Sequence, residues 1–175
     1  DQQADMILTL FPEAKKVGIL YCSAEPNSIY QVNTVKAYLE GKGIEATLYP
    51  FTDTNDAPAI TQSACSNSDV IYVPTDNVVA ANTGIIDNIC QPAGVPVIAG
   101  EAGICSGCGV ATLSIDYYEL GRITGKMAAK VLKGEANVGE MPIEYYPTPV
   151  AMYNPVICEA LGVTVPADYV ALDVE

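Results

Sequence analysis

Short apolar runs alternate with helical patterns along most of the chain. The apolar runs are rich in β-branched residues and end at polar or glycine-containing segments, as buried strands do. They predict five strands, at residues 17–21, 44–51, 70–73, 95–99 and 110–115. Apolar spacings of three and four predict helices between and after them, at residues 29–39, 57–65, 77–90 and 117–133. This alternation predicts an α/β fold with a doubly wound, mostly parallel sheet of about five strands and helices on both faces.

The strand order decides which loops can form a ligand site. In doubly wound sheets, ligands bind beyond the carboxyl ends of the strands, where the strand order reverses. With the order 2-1-3-4-5, the loops after the first and third strands, residues 22–28 and 74–77, flank that crevice. The fourth strand brings residues 100–103 to the same edge. We name these three loops the rim, and we expect ligand contacts there.

Six polar residues of the rim are candidate ligand contacts: Asn27, Ser28, Thr75, Asp76, Asn77 and Glu101. Helix capping is one explanation for those at 27–28 and 76–77, because Asn, Asp and Ser are preferred N-caps. Binding is the other, because a helix start offers free N–H groups and a positive dipole end to a ligand carboxylate. Asp76 and Glu101 could accept hydrogen bonds from an ammonium group.

Charge narrows the class of ligand. The 175 residues carry 21 acidic and 8 basic side chains, a net charge of −13, which argues against nucleic acid or an anionic membrane as partner. No Lys or Arg falls in the rim loops, where a phosphate-rich ligand would need one. A zwitterion such as a free amino acid fits better. Histidine is absent, which removes Ser-His and Cys-His nucleophilic pairs and the commonest metal ligand and disfavours hydrolysis by a triad. We expect no enzyme activity, no metal and no cofactor.

Two other classes of protein share this fold but match less well. A response-regulator receiver needs an acidic pair after the first strand and a Lys after the fifth, and neither is present. A flavodoxin needs a phosphate-binding loop rich in Ser, Thr and Gly after the first strand, where this chain has CSAEPNS. Both are disfavoured.

Most of the six cysteines lie in or beside apolar segments, where a free cysteine behaves as a small hydrophobe. Cys105 and Cys108, in GICSGCG, form the sharpest isolated motif. A redox dithiol should open a helix, but the strand-like segment VATLSI follows here. A zinc site would need a second Cys-x-x-Cys or a histidine. We expect a loop disulfide or an inert pair, with thiol oxidoreductase activity as a disfavoured alternative.

Several segments resemble one known family: KKVGILY, the Asn-Ser pair after the first strand, YVPTDN, GEAG, SIDYYELGRITGKMAAKVLKG and the late ALGVTVP. Their order and extent resemble the TrpX-like substrate-binding proteins of ABC transporters, which have a type I periplasmic-binding-protein fold. The resemblance implies an extracytoplasmic receptor, periplasmic or a cell-surface lipoprotein, that passes a solute to an ABC permease. In characterised relatives the solute is an aromatic amino acid. The resemblance implies ligand contacts at the six rim residues above, with Asp116 as a seventh candidate.

The resemblance also implies one lobe of a two-lobe receptor. The chain would begin in the helix that leads into the second lobe, with residues 1–116 as its core, 117–134 as a crossover helix and 135–175 as a C-terminal return segment. Leu113-Ser114 stands where relatives commonly have Tyr-Gly, which leaves the aromatic preference open, and Cys105 and Cys108 are local to this chain. A small-molecule sensor on the same fold, not linked to transport, is the alternative function.

The helix predicted at residues 117–133 has an apolar face formed by Tyr117, Leu120, Ile123, Met127 and Val131. In relatives the corresponding helix packs on the other lobe. Leaving such side chains in water forgoes roughly 1.5–3 kcal/mol each. We therefore expect this helix to dock on its own sheet or to pair with a second copy, giving a homodimer of this lobe.

Overall fold

The central sheet has the strand order β2-β1-β3-β4-β5-β6-β7 in the computed structural model, which describes residues 1–174. Its strands are β1 Lys16–Cys22, β2 Glu45–Phe51, β3 Val70–Val73, β4 Val97–Ala99, β5 Ala111–Ser114, β6 Val150–Tyr153 and β7 Val170–Ala171. The helices are α1 Gln2–Leu10, α2 Pro26–Gly41, α3 Ala57–Asn67, α4 Asn77–Ala80, α5 Thr83–Ala93, α6 Ala102–Cys108, α7 Tyr117–Leu132 and α8 Pro155–Leu161.

The first five strands confirm the predicted elements and their order. They pair in parallel, with β1 between β2 and β3, so the strand order reverses beside β1 as expected. Two further strands extend the sheet beyond β5. Strand β6 runs antiparallel to β5, and β7 runs parallel to β6. The fold is therefore the predicted doubly wound α/β fold with a longer, mixed edge.

The helix predicted at residues 77–90 is two helices. Helix α4 ends at Ala80, and α5 begins at Thr83 after Asn82 as its N-cap. The Asn82 side chain donates a hydrogen bond to the carbonyl oxygen of Val78 at 2.8 Å. The Asn82 N–H donates to the Val79 carbonyl oxygen at 2.8 Å, a tighter bond across three residues of the kind that closes the last turn of a helix.

Two apolar clusters cover the two faces of the sheet. One joins α1, α2 and α8 to the sheet and includes Ile7, Val32, Leu39 and Ile157. The other joins α3, α4, α5 and α6 to the opposite face and includes Ala64, Val79, Ile86 and Ile104. Every residue of β3 is buried, which explains its continuous apolar sequence.

Helix α7 stands apart from both clusters. None of its residues, 117–132, is buried, and Leu132 is 88% exposed. The expectation that this helix docks on its own sheet is therefore wrong, because the other helices already cover both faces of the sheet. Pairing with a second copy stays a prediction. None of the helices within residues 1–174 is both long and apolar enough to cross a membrane.

Candidate functional site

The rim lies at the carboxyl ends of three neighbouring parallel strands. The loop after β1 leads into α2, the loop after β3 leads into α4, and the loop after β4 leads into α6. Gly100, directly after β4, allows the last two loops to touch. A Cβ atom on Gly100 would lie 2.4 Å from both Pro74 C and Thr75 N, so a larger residue would push the loops apart.

Asp76 joins the rim loops after β1 and β3 through hydrogen bonds below the rim surface. Its carboxylate is 1% exposed, and its Oδ1 accepts a hydrogen bond from Val79 N at 3.0 Å, which caps α4. Its Oδ2 accepts hydrogen bonds from Cys22 N and from Ser28 Oγ, each at 2.8 Å. One buried carboxylate thus joins the end of β1, the first turn of α2 and the start of α4. Both Ser28 and Asp76 lie below the surface of the rim, and direct ligand contact by either stays a prediction.

A second set of bonds fixes Thr75 at the surface. Asn27 Nδ2 donates to the Thr75 carbonyl oxygen at 2.9 Å, and Thr75 Oγ1 donates to the Gly100 carbonyl oxygen at 3.3 Å. Gln31 Oε1, from the second turn of α2, accepts from Thr75 N at 3.0 Å. Asn27 is exposed and Thr75 is half-buried, so both can reach a ligand above the rim.

Glu25 is a rim residue that the sequence analysis missed. Its Oε2 accepts from both Asn77 N and Asn77 Nδ2 at 3.0 Å, and its Oε1 accepts from Val78 N at 3.0 Å. Burial alone would raise the pKa of Glu25, but these hydrogen bonds outweigh it and lower the pKa below its ordinary value. An acidic residue directly before a proline that starts a helix was the available signal, but nothing local indicated that it caps a different helix.

Glu101 and Asp116 each cap the helix that follows them. Glu101 accepts hydrogen bonds from Gly103 N and Ile104 N at the start of α6, and Asp116 accepts from Tyr118 N and Glu119 N at the start of α7. Burial, with a smaller contribution from the charge of Glu101, raises the pKa of Tyr117. Glu101 is half-buried and Asp116 is exposed, so both carboxylates remain accessible.

Gln3 of α1 supports the rim from below and was also missed. Its Nε2 donates to the Gly100 carbonyl oxygen at 2.8 Å and to the Leu113 carbonyl oxygen at 3.0 Å. Its Oε1 accepts from the Tyr72 hydroxyl at 2.6 Å, and burial raises the pKa of that hydroxyl. Ser114 Oγ accepts from Ala102 N at 3.1 Å and so joins β5 to α6. No sequence pattern links α1 to β3, β4 and β5.

The segment that contains Cys105 and Cys108 is a helix and not the predicted loop. Both lie in α6, both are buried, and their thiols are free. The Cys105 thiol donates to the Gly109 carbonyl oxygen and the Cys108 thiol donates to the Ile104 carbonyl oxygen. Burial raises the pKa of both thiols, which is opposite to the shift that a redox dithiol needs. The segment is helical rather than a loop, and each thiol bonds a backbone carbonyl oxygen instead of the other thiol, which agrees with the inert alternative.

The rim is chemically an acidic, hydrogen-bonding surface. Its loops bring three carboxylates to one edge of the sheet, Glu25, Asp76 and Glu101, and Asp116 follows β5 at the start of α7. Neither of the two ion pairs found within residues 1–174, Lys36–Glu40 and Glu119–Arg122, includes one of them. No group of three metal-ligating side chains occurs in the described part of the chain. Such a surface suits a ligand that carries an ammonium group.

Residues 1–173 match the family described as ABC transporter substrate binding protein. The chain is also similar to a tyrosine-binding protein of Clostridioides difficile (strain R20291). The two are 32% identical over 143 residues, which cover 82% of this chain and 41% of that protein. These matches confirm the resemblance inferred from the motifs.

Two solved structures share the fold over nearly the whole chain. One is a ligand-free, open structure of a substrate binding protein with adhesive properties from Clostridium difficile, with a TM-score of 0.82 and 32% identity over 100% of this chain and 60% of that one. The other is an ABC domain in complex with L-Trp from Streptococcus pneumoniae, with a TM-score of 0.88 and 31% identity over 98% and 59%. This chain spans less than two thirds of the length of these relatives. It belongs to the family of ABC transporter substrate-binding proteins.

Proposed function

We propose that this chain is one ligand-binding lobe of an extracytoplasmic receptor that delivers an aromatic amino acid to an ABC permease. The rim carries the proposal, because it presents accessible carboxylates, amides and a hydroxyl at the strand ends without a basic side chain. Family membership and the similarity to a tyrosine-binding protein and to an L-Trp complex support the same ligand class. The lobe would comprise residues 1–116 as core, 117–134 as crossover helix and 135–175 as return segment.

The start of α2 is the proposed position for the ligand carboxylate. Three helices begin on the rim, and two of them have their first N–H groups occupied by carboxylates of the chain itself. Glu25 and Asp76 occupy the start of α4, and Glu101 occupies the start of α6. The N-cap of α2 makes no side-chain capping bond. Its first N–H group, at Asn27, belongs to an exposed residue and is thus available to a ligand carboxylate.

The accessible carboxylates are the proposed partners of the ligand ammonium group. Glu25 and Glu101 lie in the rim, and Asp116 follows β5. A charged hydrogen bond from the ligand ammonium group to one of these carboxylates would contribute about 1.5–3 kcal/mol to the binding free energy. Thr75 and Asn77 would supply further polar contacts at the surface. We assign Ser28 and Asp76, which are 0% and 1% exposed, to positioning the rim through the hydrogen bond between their side chains.

Helix α7 is the proposed contact with the rest of the receptor. Its apolar face is unburied in this lobe, and the chain spans only part of its relatives. A polypeptide of residues 1–175 alone should pair with a second copy to cover that face. Light scattering at micromolar concentration measures the mass, and a clean monomer would contradict the pairing.

The ligand proposal is tested by calorimetric titration of the full-length protein with L-tyrosine, tyramine and N-acetyl-L-tyrosine. Tyramine lacks the carboxylate and the acetylated compound lacks the ammonium group. Each should bind about 10- to 100-fold more weakly than L-tyrosine, the loss expected for one charged hydrogen bond. Binding of a sugar or a nucleoside, with no binding of any amino acid, would overturn the proposal.

A pair of variants tests the position of the site. Asn27→Ala removes a rim amide and should weaken L-tyrosine binding about 10-fold, as for one polar contact with a charged group. Asn33→Ala is the matched control, because Asn33 is exposed on the same helix but lies beyond the rim. Equal affinities of the two variants would move the site away from α2.

A further inference from the structure

Two cysteines on neighbouring helices face each other within the second core cluster. Cys65 lies near the end of α3 and Cys90 lies in α5, and their Sγ atoms are 3.1 Å apart. Cys65 is 7% exposed and Cys90 is 1% exposed. The local sequence predicts only small hydrophobic core residues at both positions, because they are 25 positions apart and nothing local connects them.

The remaining four cysteines are arranged differently. Each of their thiols donates a hydrogen bond to a backbone carbonyl oxygen: Cys22 to Thr52, Cys105 to Gly109, Cys108 to Ile104 and Cys158 to Val110. In the described residues, Cys65 and Cys90 are the two thiols that have each other as hydrogen-bond partner. A disulfide bond is about 2.05 Å long, so the two sulfur atoms need to approach by only about 1 Å.

We propose that Cys65 and Cys90 form an intramolecular disulfide when the protein is exposed to an oxidising compartment. The proposal rests on the proposed extracytoplasmic location, because disulfides persist in such compartments and not in a reducing cytosol. It does not depend on the identity of the ligand.

The oxidant is a disulfide, RS–SR, either a small molecule or a thiol oxidoreductase. The Cys65 thiolate attacks one sulfur of RS–SR, which forms a mixed disulfide and releases RS⁻. The Cys90 thiol loses its proton to RS⁻ and attacks the Cys65 sulfur, which forms the Cys65–Cys90 bond and releases the second RS⁻. Two protein thiols are oxidised, and one external disulfide is reduced to two thiols.

The environment of the pair assigns these two roles. The hydrogen bond from Cys90 lowers the pKa of Cys65, and the same bond together with burial raises the pKa of Cys90. Cys65 is also more exposed than Cys90. An external oxidant would therefore meet the thiolate at Cys65 first, and Cys90 would resolve the mixed disulfide from inside.

The bond would close a loop that contains part of the rim. Residues 65–90 include β3, Thr75, Asp76 and Asn77, and α4. A cross-link over a loop of this length restricts the unfolded chain and should raise the melting temperature by about 7–14 °C. It joins α3 to α5 on one face of the sheet and leaves the surface of the rim unchanged.

The test uses the full-length protein, incubated with oxidised glutathione, alkylated in denaturant and cleaved with endoproteinase Asp-N, which cuts before aspartate. The expected product joins the peptide 56–68, which contains Cys65, to the peptide 87–115, which contains Cys90, Cys105 and Cys108. Both Cys105 and Cys108 should be alkylated. Recovery of Cys65 in alkylated form, or its linkage to Cys105 or Cys108, would overturn the proposal.

Variants separate the disulfide from general effects on folding. Cys65→Ala and Cys90→Ala should each abolish the linked peptide and the gain in melting temperature between the reduced and oxidised samples. Cys158→Ala, another buried cysteine, should keep both. Titration of L-tyrosine into the same samples is an independent readout, so a missing disulfide with intact binding refutes this proposal and leaves the proposed function standing.

Discussion

Replacement of Asp76 by alanine should destabilise the fold more than it weakens any single ligand contact. The substitution leaves three buried donors without their acceptor: Cys22 N, Val79 N and Ser28 Oγ. Each buried donor that loses its partner costs about 1–3 kcal/mol, and the hydroxyl can turn to another acceptor. We expect a loss of roughly 3–5 kcal/mol in the free energy of unfolding, including about 1 kcal/mol for the lost cap of α4.

Thermal unfolding of the full-length protein measures this loss. A domain of this size changes its melting temperature by about 2–4 °C per kcal/mol, so Asp76→Ala should lower the transition of this lobe by roughly 6–20 °C. Asp76→Asn keeps the shape and one acceptor oxygen and should lose about half as much. Ser28→Ala removes one of the three bonds and should cost about 1 kcal/mol.

The ligand affinity of the same variants decides between positioning and contact. If Asp76 only positions the rim, the affinity of folded Asp76→Asn should fall less than tenfold, because the accessible carboxylates are unchanged. An unchanged melting temperature in Asp76→Ala, together with a loss of amino-acid binding of about 10- to 100-fold, would refute the reasoning and make Asp76 a direct ligand contact.

Three further substitutions test other parts of the structure. Gly100→Ala would place a Cβ 2.4 Å from the backbone of Pro74 and Thr75 and should cost about 1–3 kcal/mol in unfolding experiments, whereas Gly84→Ala, which meets nothing within 4 Å, should cost almost nothing. Glu25 has a lowered pKa in the folded state. Its contribution to stability is therefore present above about pH 4.5 and is lost as the pH falls through the pKa of the folded state. Glu25→Gln should remove that part of the acid sensitivity in melting curves. Burial raises the pKa of Asp87, and its Oδ1 has no hydrogen-bond partner within residues 1–174. The contribution of Asp87 to stability therefore falls as the pH rises from about 3.8. Asp87→Asn should raise the melting temperature at about pH 7, and a lower melting temperature would show that the Asp87 charge is compensated.

The sequence by itself determined the first five strands and a mostly parallel sheet, and it placed the rim at one edge on the condition that the strand order is 2-1-3-4-5. This information is local, because buried strands such as β3 are continuously apolar and the helices between them repeat apolar residues with the period of an α-helix. The position of the rim then followed from a rule of topology rather than from any contact. The motifs added the family, and the match over residues 1–173 confirms it.

Local patterns failed where tertiary packing stabilises a weak element. Helix α6 has seven residues, two of them glycine, and forms because Glu101 caps it and because Ile104, Cys105 and Cys108 are buried. The edge strand β7 has only two residues, Val170 and Ala171, both exposed, and a run this short does not indicate a strand. Both elements depend on neighbours that are distant in sequence, so propensity alone could not indicate them.

The tertiary structure alone decided which side chains meet. The Asp76 carboxylate reaches Cys22 and Ser28 across 54 and 48 residues of chain, and Cys65 reaches Cys90 across 25. These contacts exist because the sheet order brings separate loops and helices together, and each depends on side-chain positions to within about 0.5 Å. The sequence could therefore place Asp76 on the rim, but only the folded chain shows its carboxylate buried beneath the rim surface, where it joins β1, α2 and α4.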